Sequence, residues 1–259
     1  MATPTRARMT LYLLAGAATL LLVLAVASRL ARRRRVRAAA TSIRSTMQAL
    51  YSGPHSYREV SLRDFPGLDH AFYEEKTGEF AALDFAFLGD LEDVTVNQAQ
   101  VGEPTAVRAM LSDDRQVLAC FYHAEVAGQS ARIVDLETVL ADGTFVVTST
   151  ARAAAPLSMP PEVDCEFHPG GGSLGALVQA HRRRVRARAT APGGAAVVEI
   201  GSLAEVIEHQ RSMDMAKTRF RKGQTTLMSR EELQRLGGPE RFQTATDVAD
   251  EMERDARRG

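Results

Sequence analysis

The sequence predicts an α+β protein: an N-terminal transmembrane helix, an antiparallel β-meander of about five strands covered by flanking helices, and a helical C-terminal segment. Three observations predict it. Residues 9–28 form an uncharged run of twenty, about 30 Å of helix at 1.5 Å per residue and enough for a bilayer's hydrocarbon core. Between Ala82 and Thr150 apolar residues fall into short runs, some alternating, separated by Gly and Asp turns. Beyond Ser202 the apolar residues return at helical spacing behind two capping signatures. The expected division is 1–37 as anchor and basic collar, 38–190 as an α+β domain, and 196–259 as a helical segment.

Arg6 and Arg8 precede the apolar run, and Arg29, Arg32, Arg33, Arg34, Arg35 and Arg37 follow it. Ala25-Val26-Ala27 resembles a signal-peptidase site, but the run is long for a signal peptide and the six following arginines resist translocation. Arginines flanking a span stay cytoplasmic. The expectation is therefore a single-pass protein of the bacterial inner (plasma) membrane with its soluble domain in the cytoplasm.

Ala39, Ile43, Met47 and Leu50 make an apolar stripe that continues the helix until Ser52-Gly53-Pro54 stops it. Leu68 to Glu75 reads as a short helix. Strands are expected at 82–88, around Val94 and Val96, and at 105–111, 116–126, 132–140 and 144–150, the last two joined at Asp142-Gly143, a strong hairpin signal. Val163 to Phe167 fits one more short strand. Ser173 opens a helix to about Arg188, whose Leu174, Leu177, Val178, His181 and Val185 share the face meant for the sheet. Ser202 with Glu205, and Ser229 with Glu232, are capping boxes. Phe242, Ala245, Val248, Ala249 and Met252 form the stripe of a last helix.

Charge is distributed unevenly. Residues 1–37 hold eight basic residues and no acidic one, out of 32 of each in the chain. Residues 38–169 carry a net charge of −12 and residues 170–259 a net of +4. An acidic body argues against nucleic-acid binding, and no nucleic-acid partner is expected. Two cysteines, Cys120 and Cys165, make no disulfide framework and fit a reducing compartment.

Several motifs have residue types suited to chemistry. Gly171-Gly172-Ser173-Leu174-Gly175 matches G-x-S-x-G, the nucleophile elbow of serine hydrolases. That fold needs an acid and then a histidine after the serine. No Asp lies between Ser173 and His181 or His209, and Glu199, Glu205 and Glu208 crowd against His209. The residues favour Ser173 as a helix N-cap. Cys120-x-x-His123 and Cys165-x-x-His168 have zinc-ligand types, but residues three apart in a strand point to opposite faces. The acidic turn 88–93 lacks the spacing of an EF-hand loop, and no glycine-rich nucleotide loop is present. No catalytic residue, metal or cofactor is expected.

Phe87-Leu88-Gly89-Asp90 entering a strand, Asp142-Gly143 before Val147-Thr148-Ser149-Thr150, and Leu177 to Arg182 on a helix together resemble a group of uncharacterised bacterial membrane-anchored α+β proteins with no assigned activity. The resemblance spans residues 85–184. It implies a recurring α+β domain and no catalytic residue.

The expected function is thus a membrane-tethered binding or scaffolding module. The alternatives are a serine hydrolase using Ser173 and a domain that binds a small apolar ligand near Cys120 and Tyr122. The surfaces expected to bind are Arg32, Arg33, Arg34 and Arg35 of the collar and Arg183 and Arg186 of the helix after Ser173. Their partners are the lipid bilayer, anionic lipid headgroups or an acidic protein.

Overall fold

A computed structural model describes residues 4–99, 102–126, 129–151, 157–169, 172–237 and 242–258, with side chains from residue 28 onward except at 126, 129, 236, 237 and 242. Helix α1 (Pro4–Tyr51) runs unbroken for 48 residues, about 72 Å at 1.5 Å per residue. It ends where expected, at Ser52-Gly53-Pro54.

The expected transmembrane helix needs correction. No helix among the described residues is long and apolar enough to cross a membrane. The physical reason lies in the arginines: from Ser28 on, α1 carries Arg29, Arg32 to Arg35, Arg37 and Arg44, and each charge is costly in hydrocarbon. The uncharged run on which the single-pass expectation rested is residues 9–28, and the side chains of 9–27 fall outside the description.

The sheet has seven strands where about five were expected. They are β1 (Tyr57–Val60), β2 (Phe85–Asp93), β3 (Val107–Ser112), β4 (Leu118–Val126), β5 (Gln129–Val139), β6 (Phe145–Ser149) and β7 (Val163–Phe167). Spatial order equals chain order, and neighbours are antiparallel except β6 and β7, which are parallel. The β5–β6 hairpin closes as a turn from Leu140 to Gly143, with Gly143 at φ 85° supplying the left-handed residue. Val94 and Val96 were expected in a strand. They lie instead in the short helix α3 (Val94–Gln98), because the Asp93 side chain accepts from the Val96 amide at 3.0 Å and caps it.

Strand alternation gives the sheet two different faces. On one, Phe121, Leu136, Met110 and Ala119 pack under helices α2 (His70–Ala81) and α4 (Leu174–Thr190), with Phe72, Tyr73, Phe80 and Val178 filling the interlayer. The rings of Phe80 and Phe121 stack at 5.5 Å. Val178, His181 and Val185 of α4 are buried and Leu174 and Leu177 pack partly against this core, as the stripe predicted. On the other face lies α5 (Leu203–Lys222), with Leu118, Cys120, Ile200 and Val206 in one apolar cluster and Phe145, Val147 and Met213 in another.

A separate small bundle holds α1 against α6 (Arg230–Gly237) and α7 (Phe242–Ala256). Val36, Ala40 and Met47 meet Leu233, Val248, Ala249 and Met252 there. Asp247, Glu251 and Asp255 recur every four residues on α7 and pair with Arg32, Arg37 and Arg44 at 2.5, 3.0 and 2.6 Å.

Candidate functional site

Three regions hold residues with chemical potential: the arginine surfaces, a cleft on the α2–α4 side, and a polar network under α5.

The collar is divided by its neighbours. Arg32 and Arg37 are taken by Asp247 and Glu251 of α7. Arg33, Arg34 and Arg35 are exposed, and none has an ion pair among the described residues. Helix α4 divides in the same way. Arg182 meets Asp114 at 2.5 Å, Arg184 meets Asp164 at 2.9 Å and Glu166 at 3.0 Å, and Arg188 meets Asp164 at 2.8 Å. These three bind the acidic body to the helix. Arg183 and Arg186 are exposed and without an ion pair among the described residues.

A cleft of about 1010 Å³ opens between α2, α4 and the sheet. Phe72, Val134 and Leu177 line its floor, and Lys76, Arg132 and Arg183 stand among its charged walls. Cys120 and Tyr122, the residues expected to line an apolar pocket, are not part of it. Ser173 is, and its Oγ accepts from the Ala176 amide at 3.2 Å, the N-cap bond expected of it. No histidine or carboxylate bonds that hydroxyl among the described residues. Gly171 of the G-x-S-x-G motif lies outside the described residues. His168 Nε2 sits 2.7 Å from Glu166 Oε1, off hydrogen-bonding geometry.

The polar network was invisible to sequence reasoning. Asp135 and Glu137 occupy alternate positions on β5 and so face α5 together. Glu137 Oε2 accepts from His209 Nε2 at 2.9 Å and from Gln210 at 2.7 Å. Burial pushes the Asp135 carboxyl up to about 7; the Ser149 hydrogen bond opposes this and the Glu137 charge reinforces it. Asp135 Oδ1 is buried with no hydrogen-bond partner among the described residues. Burial lifts the Cys120 thiol and the Tyr122 hydroxyl well above their ordinary range, so neither ionises near neutral pH.

At one end of this network His55, Asp93 and Asp214 converge. His55 comes from the loop after α1, Asp93 from the end of β2 and Asp214 from the middle of α5. His55 Nδ1 is 2.6 Å from Asp93 Oδ2 and 3.4 Å from Asp214 Oδ2, and Nε2 is 2.7 Å from the Leu50 carbonyl. The Tyr57 hydroxyl donates to Asp214 Oδ2, and Lys217 lies 3.3 Å from Oδ1. Burial opposes charge on His55, but the Asp93 hydrogen bond and the Asp214 charge outweigh it and raise the imidazole above its usual value. With one imidazole nitrogen and two carboxylate oxygens, these residues have the donor types that hold a divalent metal.

The sequence matches no protein-family profile, and no curated protein or solved structure is similar to it at a significant level.

Proposed function

We propose that this chain is a non-enzymatic binding or scaffolding module that works at the cytoplasmic face of a bacterial plasma membrane by docking its basic collar on anionic phospholipid headgroups. The observation that carries this reading is the division of the collar. Arg33, Arg34 and Arg35 remain exposed without an acidic partner among the described residues, while Arg32 beside them is held by Asp247. Guanidinium groups near an anionic lipid surface contribute about 1 kcal/mol each. Arg183 and Arg186 offer a second patch of the same chemistry.

Vesicle sedimentation of the full chain tests this. Neutral phosphatidylcholine vesicles set the baseline, and vesicles with phosphatidylglycerol give the headgroup contribution. Replacing Arg33, Arg34 and Arg35 with Glu should weaken the anionic component by roughly a hundredfold or more. Replacing Arg183 and Arg186 with Glu should weaken it less. Equal binding of the wild type to both vesicle types would remove the lipid reading. Capture of an acidic polypeptide by the same arginines, without vesicle binding, would replace it with a protein partner.

A further inference from the structure

A histidine whose two ring nitrogens both face acceptors needs a proton or a metal ion between each nitrogen and its acceptor. The Leu50 carbonyl can only accept, so the hydrogen bond at 2.7 Å places a proton on His55 Nε2. The neutral ring then has its lone pair on Nδ1. That lone pair points between two carboxylate oxygens, Asp93 Oδ2 and Asp214 Oδ2. Something positive has to sit there, either a proton shared with a carboxylate or a metal ion.

The surroundings are those of a metal ligand set. A ligating histidine characteristically donates its other N–H to a backbone carbonyl, which fixes the ring and its tautomer. Both carboxylates are oriented too: Asp93 Oδ1 accepts from the Val96 amide at 3.0 Å, and Asp214 is held by Tyr57 and Lys217. The residues are buried or half-buried, and their donor atoms lie within 4.8 Å of one another. Bonds of about 2.1 Å in a tetrahedron put ligand atoms about 3.4 Å apart. The Nδ1 to Asp214 spacing of 3.4 Å already fits. The Nδ1 to Asp93 spacing of 2.6 Å needs to open by roughly 0.8 Å, a small rotation of the Asp93 side chain.

We propose that His55, Asp93 and Asp214 form a binding site for a first-row divalent metal ion of the zinc class, which ties the end of α1 to the sheet and to α5. One imidazole and two carboxylates balance the dication's charge and leave a fourth position for water. Where Nδ1 carries a proton, binding breaks the N–H bond, forms the N–metal bond and releases that proton to solvent. Oxygen-only cations gain nothing from the imidazole, so Mg²⁺ and Ca²⁺ compete poorly.

The full chain, stripped with a chelator and dialysed, should be titrated with Zn²⁺ alone by calorimetry, with Mg²⁺ as comparison. One equivalent should bind, and the thermal midpoint should rise with Zn²⁺ and not with Mg²⁺. His55→Gln and Asp214→Asn should each weaken binding at least tenfold and abolish the thermal shift. Co²⁺ in the wild type should give the intense visible bands of a four-coordinate site, a readout that needs no variant to fold. A folded wild type that takes up no Zn²⁺, or binding that survives His55→Gln in a folded variant, would overturn the site and leave His55 as a protonated partner of two carboxylates.

Discussion

The Thr138 hydroxyl donates to the Gln116 carbonyl at 2.7 Å, so it can only accept from His181 Nε2, 3.0 Å away. Across the ring, Thr148 Oγ1 takes a hydrogen bond from Arg184 at 2.7 Å and turns its own proton toward His181 Nδ1 at 2.9 Å. The two threonines therefore fit a neutral imidazole with its proton on Nε2 and leave no acceptor for a second one. Burial, with the charges of Arg184 and Arg182, pushes His181 down to about 3.

This arrangement sets an acid limb in the stability curve. Unfolded, His181 gains a proton below about pH 6.5; folded, it stays neutral until about 3. Between those values the unfolded chain binds more protons, so stability falls as pH drops through that window. At about 1.4 kcal/mol per unit the loss from this residue is on the order of 5 kcal/mol. His181→Gln should lower stability at neutral pH by about 1–3 kcal/mol and flatten the limb from 6.5 to 3, as read by urea unfolding at a series of pH values. An unchanged slope would show that His181 is not the titrating group.

Asp135 acts in the opposite sense. Its folded value of about 7 stands above the ordinary 3.8, so its contribution is present at low pH and is lost as pH rises from 3.8 to 7. Asp135→Asn should stabilise the protein at pH 8 by about 1 kcal/mol or more and change little at pH 4. Denaturant midpoints at the two pH values decide this, and destabilisation at both would count against a burial penalty on the carboxylate.

Arg221 and Glu232 form the most deeply buried ion pair described, with side chains 2% and 0% exposed and two bonds of 2.6 and 2.7 Å. Glu232 also closes the capping box of α6, accepting from the Ser229 amide at 2.6 Å. Removing one partner strands the other charge. Arg221→Ala and Glu232→Ala should each cost about 3–5 kcal/mol, while replacing both with Met should cost much less. A double-mutant cycle in guanidinium measures the coupling, and additive losses would show that the two residues act independently.

Ser173→Ala should cost about 1 kcal/mol through loss of the α4 N-cap. The wild type should not react with a fluorophosphonate probe. Labelling of the wild type and not of the variant would restore a nucleophilic role to this serine.

Much of the fold is legible residue by residue. The stripe from Leu174 to Val185 encodes a helix and the face it buries. Asp142-Gly143 encodes a hairpin, and Ser229 with Glu232 encodes a cap, because each signal is local. What failed was the long-range part. Strand β1 has four residues and no alternation of its own; it exists because Tyr57 to Val60 pair with Asp93 to Asp90 of β2. Asp93 belongs to the acidic turn 88–93, and an Asp three residues before a helical amide is an N-cap signature. The His55 cluster is assembled from residues 38 and 121 positions apart, and no spacing rule reaches that far. One missed signal was available: Asp247, Glu251 and Asp255 at intervals of four make an acidic ridge suited to a basic helix.

The pairing of α1 with α7 also governs how the chain folds as it is made. Arg32 and Asp247 are separated by 215 positions. At about 5–20 residues per second, translation takes roughly 10–40 s to supply the second helix after the first. Through that interval Val36, Ala40 and Met47 have emerged and their partners on α7 do not yet exist. The nascent chain therefore carries a bare apolar stripe beside a row of arginines until Val248 and Met252 arrive.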